Sequence, residues 1–271
     1  MIRSRSESIV GHVLLVIAAL IAIYPFLAII GQALRPAPGS HAVGVTLENF
    51  VSAWSRGGFS TSLLSSAFVA VVVVIITGVV GMLAGYGLSV LRLRWRGAIM
   101  GILLVGLVLP SEARIVPLYH MMQDLHLLNT YWALILPQVA SSFSLATFWM
   151  ANFFSSLPAS LAEAASIDGA GSWRTLRHVY APIGMNALAT LSCLVFLYTW
   201  NEFMLALVLV PQNQTVQTAP LSLSFFAGNE RNIEPEVIAA AAVLVALPVI
   251  IAYAFLQRRF MSGLLEGAIK E

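Results

Sequence analysis

Residues 62–91 read SLLSSAFVAVVVVIITGVVGMLAGYGLSVL, an apolar run without a single charged residue. A transmembrane helix needs about 20 consecutive, mostly apolar residues, so this run is long enough to cross a bilayer. Gly81 and Gly85 stand four positions apart, which places both on one helix face and lets a second helix approach closely. We therefore predict a membrane-spanning helix that packs against a neighbour through its small residues.

Five further apolar stretches accompany this run, near residues 10–34, 97–122, 131–153, 183–210 and 237–256. Pro110 and the polar residues after it interrupt the stretch 97–122, so we expect a kinked or broken helix there. The first stretch follows two arginines, but it has the length of a full span and no clean cleavage site, which favours a retained helix over a signal peptide. The prediction is an all-α, polytopic membrane protein with six transmembrane helices in one domain, residues 1–271.

The composition excludes several classes of protein. Hydrophobic residues make up 59% of the chain and charged residues only 10%, whereas soluble domains carry about 25% charged residues. A chain with so few charges requires membrane lipid around it. No dense basic cluster indicates a nucleic-acid partner, Cys193 has no second cysteine for an intrachain disulfide, and no metal site is predicted.

The basic residues set the orientation of the spans. With the N-terminus inside, ten of the 14 basic residues fall in cytoplasmic segments and four fall outside. Cytoplasmic loops of membrane proteins are enriched in Lys and Arg. We therefore expect both termini in the cytoplasm.

The longest cytoplasmic segment, residues 155–182, reads SSLPASLAEAASIDGAGSWRTLRHVYAP. Its pattern predicts two short helices at an angle, with a break at Gly169 and Gly171. Small residues on an exposed helix let the groove of a partner protein close around it. The alternative is a helix that lies on the membrane surface.

This segment resembles the EAA loop of ATP-binding-cassette (ABC) importer permeases. The match runs from Glu163-Ala164-Ala165 through Gly169 to Val179 and Pro182, with Ala181 in place of the family's usual Leu. Trp200-Asn201-Glu202-Phe203 and the chain end from Gln257 are similar to the carbohydrate branch, the relatives of the second maltose-permease subunit.

The resemblance implies a permease subunit in the bacterial inner membrane. Its partners would be a second permease subunit, two ATPase subunits and an extracytoplasmic solute-binding protein. The residues implied in ATPase docking are Glu163, Ala164, Ala165, Asp168 and Gly169, flanked by Arg174 and Arg177. The outer segment 211–235 would meet the binding protein, through Gln212, Asn213, Gln214, Asn229 and Glu230.

ATP hydrolysis is expected on another chain. A phosphate-binding loop requires a Lys within G-x-x-x-x-G-K-[ST], and the only Lys is Lys270, followed by Glu271. We therefore expect no cofactor and no catalytic residue in this chain, with ATP and Mg on the ATPase subunits.

Ionisable residues inside the membrane are candidates for function. One set is Trp200, Asn201 and Glu202, and the other is Glu112 with Arg114. Each set either lines the solute path or holds helices together through an internal ion pair or hydrogen bond.

The resemblance favours a sugar as the solute: an oligosaccharide, a disaccharide or an amino sugar. Residues 110–115, PSEARI, resemble a stretch of glycerol-3-phosphate permeases, so glycerol 3-phosphate or a glycerophosphodiester is the alternative, with Arg114 facing the phosphate. A secondary transporter that uses Glu202 for ion coupling is the alternative class. A membrane enzyme is not indicated, because the sequence has neither H-E-x-x-H nor G-x-S-x-G.

Overall fold

The computed structural model describes residues 5–39, 44–91, 93–110, 112–229 and 233–268. Within these residues the regular structure is helical, without a β-strand. The α-helices are α1 (Arg5–Ala33), α2 (Glu48–Gly57), α3 (Phe59–Ser89), α4 (Arg96–Val108), α5 (Ile115–Asp124), α6 (Tyr131–Ser156), α7 (Ser160–Ile167), α8 (Ser172–Thr175), α9 (Ala181–Trp200), α10 (Met204–Leu209), α11 (Ala219–Asn229) and α12 (Pro235–Ala268). A 3₁₀ turn, Glu112–Arg114, precedes α5, and a π-helical segment, Leu176–Tyr180, joins α8 to α9.

Five helical segments of the described chain are long and apolar enough to cross a membrane: Val10–Ala33, Phe59–Ser89, Tyr131–Ser156, Ser172–Trp200 and Pro235–Phe255. A bent pair of helices brings the number to six if the pair is counted as one span. The all-α fold with six candidate spans therefore agrees with the sequence prediction.

The bent pair lies where Pro110 interrupts the third apolar stretch. Helices Arg96–Val108 and Glu112–Asp124 meet at 95°, as expected for an interrupted helix. Leu109 has extended backbone angles (φ −65°, ψ 124°), because the ring of a following proline disfavours the α-helical region. The proline also lacks the N–H that would continue the helix.

The fifth span differs from the predicted range 183–210. The helix begins at Ser172 and continues through the π-helical segment to Trp200. It then breaks, and the six-residue helix α10 follows. The carboxylate Oε1 of Glu202 accepts a hydrogen bond from the Leu205 N–H at 2.9 Å, which satisfies a donor at the start of α10 as a helix cap does.

Contacts within the chain define two compact units. The first contains the described residues up to Ser60 together with Ser222–Leu247. The Asn49 side chain donates to the carbonyls of Ala33 (2.8 Å) and Arg35 (2.6 Å), which ties α2 to the end of α1. The most apolar 18-residue stretch of α1 has no buried residue, as suits a helix whose surroundings are lipid.

The second unit contains Thr61–Leu221 and the described residues from Pro248 onward. Its helices α3 and α6 approach closely at the two predicted small residues. An added Cβ on Gly81 would lie 2.7 Å from Ala146 Cβ, and one on Gly85 would lie 2.6 Å from Met150 Cβ. The packing role predicted for these glycines is confirmed. The single domain over residues 1–271 stays a prediction.

Candidate functional site

The segment between α6 and α8, residues 157–171, is called here the α7 loop. Helix α7 ends in a Schellman motif, in which Gly169 N–H donates to the Ser166 carbonyl (3.1 Å) and Ala170 N–H to the Ala165 carbonyl (2.9 Å). Gly169 has φ +69°, a conformation that only glycine adopts at no steric cost. The glycine therefore sets the direction in which the chain leaves α7.

The α7 loop and the start of α8 present two large apolar side chains to the surroundings. Ile167 is 87% exposed and Trp173 is 65% exposed. The predicted docking residues around them are exposed as well, with one exception: Glu163, Ala164, Asp168, Gly169, Arg174 and Arg177 are exposed, whereas Ala165 is buried. An exposed apolar patch rimmed by polar and charged groups is typical of a protein-protein contact surface.

One continuous helix leads from this surface into the spans. Helix α8, the π-helical segment and α9 form a single helical run, Ser172–Trp200, which at 1.5 Å per residue is about 43 Å long. Tyr86 of α3 donates from its hydroxyl to the Ser172 carbonyl at 3.1 Å. The rings of Tyr86, Phe154 and Tyr180 pack edge to face with centroid separations of 5.3 to 6.4 Å. The start of this helical run is therefore anchored to α3 and α6.

A polar cavity of about 120 Å³ lies at the C-terminal end of the helical run Ser172–Trp200. It opens where two helix breaks meet, one between α4 and α5 and the other between α9 and α10. Helix α6 forms the wall between them. The lining residues are Glu112, Arg114, Ile115, Leu118, Gln138, Ser141, Ser142, Tyr198, Thr199, Glu202, Met204 and Leu205.

The charged side chains of this cavity are held by specific contacts. Arg114 Nη1 donates to Ser141 Oγ at 3.1 Å, and Ser141 Oγ donates to the Pro137 carbonyl at 2.8 Å. Arg114 Nε is buried and has no hydrogen-bond partner among the described residues. An unsatisfied buried donor costs about 1–3 kcal/mol, and more when it is charged. The guanidinium is thus held by Ser141 at one nitrogen, while its Nε lies buried without a partner in the described part of the chain.

The two candidate sets of membrane residues converge here only in part. Glu112, Arg114 and Glu202 line the same cavity. Trp200 is 4% exposed and its ring lies 5.6 Å from that of Phe196. The Asn201 amide donates to the carbonyl four residues earlier, at 2.8 Å. Neither Trp200 nor Asn201 lines the cavity. Both side chains instead contact residues in the last turn of α9.

Several lining residues were not singled out in the sequence. Gln138 is more than nine-tenths buried and faces the cavity, and Ser141 and Ser142 follow it on α6. The available signal was the presence of an amide and two hydroxyls within an otherwise apolar span, since polar groups in a membrane helix usually face the bundle interior.

The outer segment after α10 is organised by Asn129. This residue has φ 59°, its Oδ1 accepts from the Gln212 N–H (3.1 Å), and its carbonyl accepts from Asn213 Nδ2 (3.0 Å). Asn213 Oδ1 accepts in turn from the N–H (3.1 Å) and the hydroxyl (2.7 Å) of Thr215. Asn213 is therefore engaged within the segment, while Gln212 and Gln214 are exposed.

The other two predicted binding-protein contacts fall at the end of α11. The backbone of Asn229 ends that helix. Its side chain, and all of Glu230, lie outside the residues that the structure describes. The role predicted for these two residues stays a prediction.

Comparison with known proteins identifies a family to which most of the chain is similar. Residues 77–265 match the sequence pattern of the family described as binding-protein-dependent transport system inner membrane component. The matched region includes the α7 loop, the cavity and the outer segment.

Two relatives and one solved structure are similar over most of the chain. The trehalose transport system permease protein of Mycobacterium tuberculosis is 31% identical over 83% of this chain and 82% of its own length. The lactose transport system permease protein of Rhizobium radiobacter is 30% identical over 99% of this chain and 98% of its own. A chain in the crystal structure of a bacterial ABC transporter involved in the import of the acidic polysaccharide alginate superposes with a TM-score of 0.79, at 27% identity, covering 96% of this chain and 99% of that one.

Proposed function

The chain belongs to the family of binding-protein-dependent transport system inner membrane components, and we propose that the solute it moves is a sugar. It is a multi-pass membrane protein and a permease subunit of an ABC importer, which works with ATPase and binding-protein partners. It is not itself the enzyme of that complex. The structural observation that supports the role of a permease is the continuous helix Ser172–Trp200, because it joins an exposed apolar surface at one end to a polar cavity at the other.

The proposal of a sugar is supported by relatives and by the chemistry of the cavity. Permease proteins for trehalose and lactose are among the chain's relatives. The cavity offers carboxylates, a guanidinium, an amide and hydroxyls. Such a set matches sugar hydroxyl groups, which both donate and accept hydrogen bonds. An oligosaccharide, a disaccharide or an amino sugar fits this description.

A phosphate-bearing solute is the second candidate. Arg114 supports it, because this residue lines the cavity and a guanidinium binds phosphate through paired hydrogen bonds. Glycerol 3-phosphate and glycerophosphodiesters are the solutes of this class. In this case as in the first, Glu112, Arg114 and Glu202 line the solute path, and Trp200 and Asn201 keep the end of α9 in place.

The α7 loop is proposed to dock with an ATPase subunit in the cytoplasm. Glu163, Ala164, Asp168 and Gly169 form the exposed part of the contact, with Arg174 and Arg177 beside it. Ala165 contributes from within, because its buried methyl group supports α7. Ile167 and Trp173 are added to the docking set, since burial of an Ile side chain contributes about 1.5–3 kcal/mol.

The complex is proposed to contain this chain, a second permease subunit, two ATPase subunits that hold ATP and Mg, and an extracytoplasmic binding protein. Both termini lie in the cytoplasm, because ten of the 14 basic residues then lie inside. The outer segment therefore faces the binding protein, with the exposed side chains of Gln212 and Gln214 as its contacts. Asn213 holds that segment in shape.

The docking proposal is tested by isolating the complex in mild detergent and quantifying the ATPase that co-purifies with the permease. Replacement of Ile167 with Ser is expected to lower ATPase recovery about tenfold, since it removes an apolar anchor. Leu125, which is 55% exposed on the opposite side of the proposed topology, is the matched control, and Leu125→Ser should leave recovery unchanged. Equal recovery from both variants would place the docking surface elsewhere.

A further inference from the structure

The connection between α3 and α4 carries an alternating pattern of apolar and basic residues. Residues 91–96 read LRLRWR. In the part of this segment that the structure describes, Arg94 is exposed, and the apolar side chains of Leu93 and Trp95 are 48% and 69% exposed. Arginine and tryptophan side chains with this exposure suit the boundary between lipid headgroups and acyl chains, because each has an apolar part and a polar end.

The connection lies close to the bilayer surface. Helix α3 ends at Ser89 and α4 begins at Arg96, and both helices belong to candidate membrane spans. The residues between them, 90–95, extend over at most about 20 Å, and the chain must return to the membrane within that length. In the proposed topology this surface is cytoplasmic, where anionic lipids attract basic segments next to a span.

A second cavity, of about 400 Å³, opens beside the start of α4. It lies between the ends of α3 and α6, the first residue of α4 and helix α7, and its lining includes Val90, Arg96, Ser155 and Glu163. Ser155 follows Ser141 by 14 residues on α6, which is about 20 Å along the helix axis. This cavity, called here the α4 cavity, is therefore separate from the one at the two helix breaks.

Arg96 is held at the wall of the α4 cavity. Its Nη2 donates to Ser155 Oγ at 2.9 Å, which ties the start of α4 to the end of α6 and orients the guanidinium. Because Ser155 Oγ is the acceptor in this bond, its own O–H can donate to a further group. A guanidinium beside a hydroxyl offers several donors at once, which is the arrangement that phosphate oxygens require.

The charges around the α4 cavity favour an anionic headgroup. Within the described part of the chain, neither Arg94 nor Arg96 is paired with a carboxylate. Glu163 also lines the cavity, but it is an exposed residue of α7 and is assigned above to the contact with an ATPase subunit. The two guanidinium groups and the one carboxylate leave one positive charge in excess, which the phosphate diester of a lipid neutralises.

We propose that residues 93–96 and the α4 cavity bind an anionic phospholipid, such as phosphatidylglycerol, from the cytoplasmic leaflet. Arg96 and Ser155 receive the phosphate, and Arg94 adds a second positive charge. Leu93 and Trp95 contact the lipid below its headgroup. The site is separate from the solute path, and the inference does not depend on which solute the complex carries.

Protection of an introduced cysteine tests occupancy of the α4 cavity in the purified complex. Val90 lines the cavity, so Val90→Cys places a thiol there, and Cys193, the only native cysteine of this chain, is buried. Ser156 is exposed at the same end of α6 and does not line the cavity, which makes Ser156→Cys the matched control. Maleimide labelling of this subunit is followed in detergent with added phosphatidylglycerol, phosphatidylcholine of the same acyl chains, or inorganic phosphate.

The inference predicts that phosphatidylglycerol slows labelling of Val90→Cys about tenfold relative to phosphatidylcholine and leaves labelling of Ser156→Cys unchanged. Equal protection by the two lipids, or no protection by either, would overturn the inference. Protection by inorganic phosphate alone would indicate a site for a free anion instead of a lipid. If Val90→Cys is protected without added lipid in the complex but not in the isolated permease, a partner subunit covers the cavity and the inference fails. Each of these failures would leave the proposed sugar transport standing.

Charge substitutions separate lipid recognition from a change in local structure. In the Val90→Cys background, Arg94→Gln combined with Arg96→Gln is expected to raise the phosphatidylglycerol concentration that gives half protection about tenfold, because two attractive charges are lost. Lysine at both positions keeps the charges and should restore most of the protection. Arg35→Gln, at an exposed arginine that the proposed topology places on the outer face, is the control. An unchanged concentration in the double glutamine variant would contradict the assignment.

Discussion

At the scale of single residues, Gly169 and Gly171 are two glycines of the same loop that differ in backbone conformation. Gly169 has φ +69°, whereas Gly171 has φ −70°, and an added Cβ would meet nothing within 4 Å at either position. The difference between them therefore lies in the local backbone conformation rather than in contacts with the rest of the chain.

We predict that Gly169→Ala weakens coupling of ATP hydrolysis to transport, because a left-handed conformation costs about 1–2 kcal/mol for a residue with a Cβ. Sugar-stimulated ATPase activity of the complex should fall several-fold. Gly171→Ala should retain wild-type activity. Gly169→Arg, which adds a bulky charge at the docking surface, should abolish transport while the protein still inserts into the membrane. Wild-type uptake by Gly169→Arg would refute the docking role of the α7 loop.

Asn129 is a second residue whose role depends on its backbone conformation. Asn129→Ala removes the acceptor for Gln212 N–H and places a Cβ residue at φ 59°. We expect the free energy of unfolding to fall by about 1–3 kcal/mol, measured as a lower midpoint of thermal unfolding. Asn129→Asp keeps the acceptor and tolerates this conformation, so its midpoint should remain near that of the wild type.

The sequence could indicate some of these roles and not others. The break at Gly169 was predictable, because glycine commonly follows the end of a helix. The burial of Ala165 was not, because neighbouring alanines in one motif differ only in the face they occupy after folding. Asn213 reads as a polar surface residue, and only the fold places it against Asn129.

At the scale of helices, the interruption at Pro110 followed from the chemistry of proline, whereas the meeting of the two helix breaks did not. Glu112 and Glu202 are far apart in sequence, and packing of α5 and α10 brings them to one cavity. The fifth span begins earlier than the predicted residue 183, because the polar residues from Ser172 onward continue the helix. Hydropathy alone locates the apolar part of a helix, not its cytoplasmic extension.

The contact between α3 and α6 gives a prediction at this scale. An added side chain at Gly85 would collide with Met150 and Ala151 backbone atoms, and overpacking usually costs about 1–3 kcal/mol. Gly85→Val should lower the yield and the thermal midpoint of the purified complex. Gly101→Val, at a helical glycine with no atom within 4 Å of an added Cβ, is the control. A similar loss of stability in both variants would attribute the effect to the loss of glycine rather than to the close contact.

At the scale of the whole molecule, the helix Ser172–Trp200 connects the α7 loop to the cavity. One end carries the exposed surface proposed to dock with an ATPase subunit, and the other forms part of the cavity lining. Movement of the ATPase subunits would act on the first end, and the continuous helix would carry the displacement to the second. This is the physical basis that we propose for coupling hydrolysis to a change in solute access.

The most direct measurement is the simultaneous determination of labelled-sugar uptake and ATP hydrolysis in proteoliposomes that contain the complete complex and its binding protein. The account predicts uptake only when ATP is supplied on the ATPase side, with hydrolysis stimulated by the sugar-loaded binding protein. Sugar uptake driven by an ion gradient in the absence of ATP would contradict it and indicate a secondary transporter.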